Sequence, residues 1–123
     1  KIISLVNDGL IIIGHSLGGI FLAKYFSENN LHKKVKAIVL IAAPFSLEES
    51  SSFDLPASLG NLSKQCNEVY LLHSKDDMTV PFGDVEKYKE KLPEAKIITF
   101  EDRGHFNQER FPEIVHLIQK LSK

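Results

Sequence analysis

The spacing of apolar positions changes several times along the chain, and each change marks an element. Leu10, Ile11, Ile12 and Ile13 form an unbroken apolar run ended by Gly14, the pattern of a strand buried on both faces rather than one with a wet side. Positions 17–27 are rich in Leu, Ala, Ile and Phe and predict a helix packed firmly against a sheet. Runs at 37–42, 69–73 and 96–100 predict three more strands, separated by enough chain for helical crossovers. Val85, Tyr88 and Leu92 fall at helical spacing, as do Phe111, Ile114, Val115 and Ile118. Ile2, Leu5 and Val6 repeat that spacing over 1–8, with Gly9 as a stop, so the chain is expected to enter on the end of a helix. Strands alternating with helices imply a parallel sheet of about four strands with right-handed crossovers, an α/β fold. The stretch 45–65 breaks the alternation: Ser50, Ser51, Ser52 and Pro56 predict an irregular excursion or small lid with room for a short helix. No repeat, low-complexity tract or linker divides the chain, and 1–123 reads as one domain.

Composition narrows the class. With 43% hydrophobic and 25% charged residues over 123 positions, disordered, collagen-like and coiled-coil classes are excluded. Lys and Arg number 15 against 16 Asp and Glu, a formal charge of -1, so no net field favours nucleic acid or an anionic membrane. Lys33-Lys34 and the series Lys87, Lys89, Lys91 read as solvated faces. The apolar run at 10–13 is too short to cross a bilayer. The single cysteine, Cys66, excludes an internal disulfide and a multi-cysteine metal centre and fits a reducing, cytoplasmic compartment.

The chain begins at Lys1, and its one methionine is Met78. In a sheet built by right-handed crossovers the strand at 10–13 would lie on an edge, yet it carries none of the charges, prolines or bulges that blunt exposed edges. A neighbour on both sides is expected. Together with the absent initiator Met, this predicts a longer protein, with further apolar strands ahead of Lys1.

The chemistry gathers at predicted strand ends. Gly14-His15-Ser16-Leu17-Gly18-Gly19 follows the first strand and matches G-x-S-x-G, whose mechanics require a strand before the serine and a helix after it. Both are read here independently of the motif. The amide of Leu17, at the start of that helix, is placed to donate to a developing oxyanion beside the positive end of the helix dipole. A serine hydroxyl is a weak nucleophile and needs a base and a group to orient that base. The third strand is followed by Ser74-Lys75-Asp76-Asp77-Met78-Thr79-Val80-Pro81, and the fourth by Asp102-Arg103-Gly104-His105-Phe106. Open α/β sheets place their sites at such carboxyl ends, and the order Ser, Asp, His is that of the nucleophile-elbow type. The acid is Asp76 or Asp77, with the spacing to Val80-Pro81 favouring Asp77.

These segments resemble the C-terminal part of the α/β-hydrolase superfamily, with 14–19 as the nucleophile elbow and Asp77…Val80-Pro81 and Gly104-His105-Phe106 as the acid and histidine loops. Within it, the compact layout and Gly104-His105-Phe106-Asn107 running into the last helix look most like small serine hydrolases of the retinoblastoma-binding-protein-nine type. The resemblance covers essentially the whole chain but only the second half of the fold, leaving the N-terminal strands unaccounted for. It implies Ser16 as nucleophile, Asp77 as orienting acid and His105 as base. The superfamily's second oxyanion donor comes from a loop after an earlier strand, and no residue here corresponds to it.

The remaining histidines read differently. His73 ends a strand and His15 fills the variable position of the elbow, which makes both packing or rim residues, His15 at the substrate pocket; His32 and His116 follow no strand. Phe45, Phe53, Leu55, Phe82 and Phe106 lie on loops at the same edge, and Phe45, Phe82 and Phe106 with His15 are expected to line an apolar acyl pocket, 45–65 forming a small lid. Cys66 reads as structural. No spacing argues for a metal, a nucleotide or any cofactor. The expected chemistry is hydrolysis of an ester or related acyl bond in a small molecule through an acyl-enzyme. The alternatives are a non-catalytic binding module of the same fold, a truncated and inactive product that keeps the signature but cannot assemble a site, or acyl transfer to an acceptor other than water.

Overall fold

The computed structural model describes residues 9–31, 34–47, 54–108 and 110–121. The helix expected over 1–8, together with His32, Lys33, Phe53 and the serine cluster at 50–52, lies outside them. Along the described chain run β1 (Ile11–His15), α1 (Leu17–Glu28), β2 (Val35–Ile41), α2 (Gly60–Lys64), β3 (Cys66–Ser74), α3 (Gly83–Lys91), β4 (Lys96–Phe100) and α4 (Pro112–Leu121). The four strands form one sheet in the order β1-β2-β3-β4, each pair parallel.

Alternation along the central strands sorts side chains into two cores, as a pleated strand must. On β2 and β3, Ile38, Leu40, Val69 and Leu71 face a layer containing Ala23 and Phe26 of α1, Leu62 of α2 and Val85 and Tyr88 of α3. Ala37, Val39, Ile41, Tyr70 and Leu72 face the other way, onto Leu117 and Leu121 of α4. The sheet is thus covered on both faces, which is why its central strands read as continuous apolar runs.

Three expectations need correction. β3 starts at Cys66 rather than 69, because Cys66 and Glu68 continue the ladder opposite Val35 and Ala37 of β2, and Lys96 Nζ of β4 holds Glu68 Oε1 at 2.6 Å. Pairing with a neighbour, not apolar pattern, extends that strand. Among the described residues β1 does not reach the burial expected of it: Ile11 and Ile12 are half-buried, Ile13 is 38% exposed, and β1 pairs there only with β2. The described parts of 45–65 are core wall rather than cover, with Leu59 and Leu62 fully buried and Phe45 and Leu55 packed against the same cluster. Positions 48–53 of the lid expected over 45–65 lie outside the described residues. Among the described residues no helix is long and apolar enough to cross a membrane.

Candidate functional site

β1 delivers the chain to Ser16 at the carboxyl edge of the sheet. The Ser16 N–H donates to Ile41 O at 2.9 Å, continuing the β1–β2 ladder by one rung. Its carbonyl then accepts from Gly19 N at 2.9 Å and Ile20 N at 3.3 Å, so α1 begins without an intervening loop. Ser16 absorbs the reversal, with φ 56° and ψ -119°, a conformation that costs a non-glycine residue about 1–3 kcal/mol. Two glycines permit the turn by close approach: a Cβ on Gly14 would stand 2.6 Å from Gly18 O, and one on Gly19 would stand 2.6 Å from Ala43 Cβ. Gly18 has open space where its Cβ would be and is not required sterically. The Ser16 hydroxyl makes no capping bond to α1. It lies 2.8 Å from His105 Nε2 instead.

The acid loop is built locally. Asp77 Oδ1 accepts from Thr79 N and Val80 N, each at 2.8 Å, which fixes the carboxylate with Oδ2 left over. His73, almost fully buried at the end of β3, donates from Nε2 to Val80 O at 2.9 Å, and the same nitrogen lies 3.5 Å from Asp77 Oδ2. Phe82 stands edge-on to the His73 ring at 5.7 Å. Burial of the Asp77 side chain would by itself push its carboxyl up. The bonds from His105, Val80 and Thr79 outweigh that and hold it below the ordinary 3.8.

Ser16, His105 and Asp77 form one hydrogen-bonded path. His105 Nδ1 lies 2.9 Å from Asp77 Oδ2, and His105 Nε2 lies 2.8 Å from Ser16 Oγ. An ionised carboxylate can only accept, so Nδ1 carries the proton and Nε2 is the acceptor for the serine hydroxyl. Asp76, the other acid weighed above, reaches the loop and not the ring: its Oδ1 accepts from Ser74 Oγ at 2.6 Å and from Gly104 N at 2.9 Å. The Ser74 hydroxyl, followed by the Gly104 N–H, holds the Asp76 carboxyl below its ordinary value.

The expected pocket residues do not converge. Phe45 packs edge-on against Tyr88 at 5.1 Å, on the α1–α3 side of the sheet. Phe82 joins that same cluster, whereas Phe106 is buried on the α4 side against Phe100 and Phe111. An aromatic ring beside either core gains more by burial than by lining an open rim, and here each ring takes the nearer core. His15 turns its Nε2 to His105 O at 2.7 Å, with the two rings 5.1 Å apart. The cavity beside His105, about 610 Å³ and open, is lined by polar residues including Asp102, Arg103, Asn107, Gln108 and Arg110. Leu17, at 61% exposure the first residue of α1, borders Ser16 with an amide that has no partner within the helix. Burial pushes the Cys66 thiol up to about 11, away from nucleophilic use. Among the described residues no group of three or more His, Cys, Asp or Glu could hold a metal.

Solved structures share the fold. The ydeN gene product from B. subtilis superposes with a TM-score of 0.81 at 18% identity, over 95% of this chain and 67% of its own. An alpha/beta hydrolase enzyme from a Medee basin deep-sea metagenome library superposes at 0.65 and 16% identity, over 94% of this chain and 55% of its own. The fold is that part of an α/β-hydrolase which carries the strand–serine–helix elbow. The family described as serine hydrolase matches residues 2–120, and this chain belongs to it. The serine hydrolase RBBP9 of Rattus norvegicus is 27% identical over 121 residues, which cover 94% of this chain and 62% of the relative. The chain therefore spans less than two thirds of that relative's length.

Proposed function

We propose that the protein hydrolyses an ester or related acyl bond of a small molecule through a covalent acyl-enzyme. One observation carries the reading: a continuous path of hydrogen bonds runs from Asp77 Oδ2 through both nitrogens of His105 to Ser16 Oγ, joining groups 89 and 28 positions apart. In the proposed reaction Ser16 Oγ attacks the acyl carbon while His105 Nε2 takes its proton. The carbonyl oxygen becomes an oxyanion facing the Leu17 N–H at the head of α1. Collapse breaks the bond to the leaving group, which takes the proton from Nε2. Water then repeats the sequence on the acyl-serine, returning the hydroxyl and releasing the acid. Asp77 keeps the imidazole in the tautomer this requires. No cofactor enters any step.

A cytoplasmic location belongs to the same reading and rests on the single buried cysteine. Pre-steady-state hydrolysis of p-nitrophenyl acetate, with the ester in excess over the protein, tests the proposal. An initial burst of nitrophenolate that disappears in Ser16→Ala is the expected result. A steady rate without a burst and equal in the variant removes Ser16 from the chemistry, and no turnover by folded protein favours the non-catalytic module.

A further inference from the structure

The loop that carries His105 leaves the sheet after one last rung, Lys75 N–H to Phe100 O at 2.8 Å. Beyond it the backbone is held by side chains from other parts of the chain. Ser74 Oγ accepts from Arg103 N at 3.0 Å, Asp76 Oδ1 accepts from Gly104 N at 2.9 Å, and His15 Nε2 donates to His105 O at 2.7 Å. Three consecutive residues are thus fastened, two from the β3 end and one from the elbow. Ser74 donates its own proton to Asp76 at 2.6 Å, so one carboxylate oxygen organises both contacts on the β3 side. The fastened segment has one backbone bond of its own, Phe106 N–H to Arg103 O at 3.0 Å, and two left-handed positions, Gly104 at φ +56° and Phe106 at φ +59°. A loop in left-handed conformations has no ladder to keep it there.

We propose that Asp76, with Ser74 and with His15 opposite, is a positioning residue that holds the His105 ring in register with Ser16 and Asp77. The inference rests on the triad reading above. An unfastened loop would let the imidazole drift, and a displacement of about 1 Å in such a constellation costs on the order of a hundredfold in rate. Asp76 acts through its acceptor Oδ1. Asparagine retains that oxygen; alanine does not.

Two readouts test this in the intact protein: the downfield proton of His105 Nδ1 bonded to Asp77, seen by NMR, and the second-order rate of labelling by a fluorophosphonate. Asp76→Ala is expected to broaden or erase the downfield proton and slow labelling by about tenfold or more, while Asp76→Asn keeps the proton and labels within about threefold of the parent. His15→Ala, at an exposed position, is expected to slow labelling in the same direction with the melting temperature unchanged, and it decides the matter if Asp76→Ala does not fold. A parent-like proton and labelling rate in Asp76→Ala overturns the proposal, as does an Asp76→Asn that behaves like the alanine variant. Labelling that persists in Ser16→Ala instead refutes the triad reading, and the downfield proton still judges the positioning role on its own.

Discussion

The acid loop and the histidine loop meet where Asp77 holds the His105 ring and Asp76 holds the Gly104 amide, yet their two functional side chains are fixed in different ways. Asp77 is fixed by its own neighbours, the amides of Thr79 and Val80, in a turn whose information is contained in five consecutive residues, Asp77 to Pro81. His105 is fixed by Ser74, Asp76 and His15, which hold Arg103, Gly104 and His105 from 29, 28 and 90 positions away, with one local turn bond, Phe106 N–H to Arg103 O, beside them. A local turn survives changes elsewhere in the molecule. A loop held at a distance does not, so the histidine side is where substitutions far from the ring should reach the chemistry.

The largest effect should come from the point where the loops join. Asp77→Asn keeps the Oδ1 acceptor and hence the turn, but no longer requires a proton on Nδ1 of His105; turnover should fall by about 10⁴ with little loss of stability, measured by ester hydrolysis beside thermal unfolding. A loss below about tenfold would mean that the turn, rather than the tautomer, is what Asp77 supplies. Next comes Gly14→Ala at the elbow, where the added methyl meets Gly18 O; about 1–3 kcal/mol of destabilisation is expected, against almost none for Gly18→Ala. Equal melting temperatures for the two variants would refute the steric account.

Ser74→Ala sharpens the contrast between the loops. Hydrogen exchange at the Arg103 and Gly104 amides should accelerate by about tenfold, while the Thr79 and Val80 amides keep their protection. Acceleration in both loops together would show that they open as one unit. The smallest effect concerns pH. The Asp77 carboxyl is held below 3.8 in the folded protein, so it binds its proton more readily when unfolded; its contribution to stability is complete above that ordinary value and disappears as pH falls through the lower folded one. Urea titrations of the parent across that acid window should therefore show a steeper loss than those of Asp77→Asn, and parallel curves would contradict the assigned shift.

The same contrast explains what could be read in advance. Parallel strands covered on both faces announce themselves as apolar runs, and a strand, a serine between glycines and a helix form a local pattern, so the α/β architecture was legible from 10–27, 37–42 and 96–100. The turn after Asp77 was legible for the same reason, since Val80-Pro81 limits where the chain can go. Contacts made across the fold were not. Cys66, Asn67 and Glu68 belong to β3 through pairing with β2, which leaves no apolar trace. The phenylalanines at the rim gave no sign of which core each would enter, because composition near a loop does not encode which side of the sheet it leaves from. Asp76 looked like a rival to Asp77 for one task, when each carboxylate has its own partner. The Asp-Asp pair and the histidine before Ser16 were the available signals, and neither says what it touches.

The proposed chemistry requires Ser16 to be coupled to His105 and, behind it, to Asp77. Peptide mass spectrometry after fluorophosphonate treatment measures that coupling most directly: a covalent adduct on Ser16 in the parent, and its loss in a folded His105→Ala variant, is the result predicted. Folded parent protein without an adduct, or an adduct on Ser16 that forms equally fast without the imidazole, would contradict it.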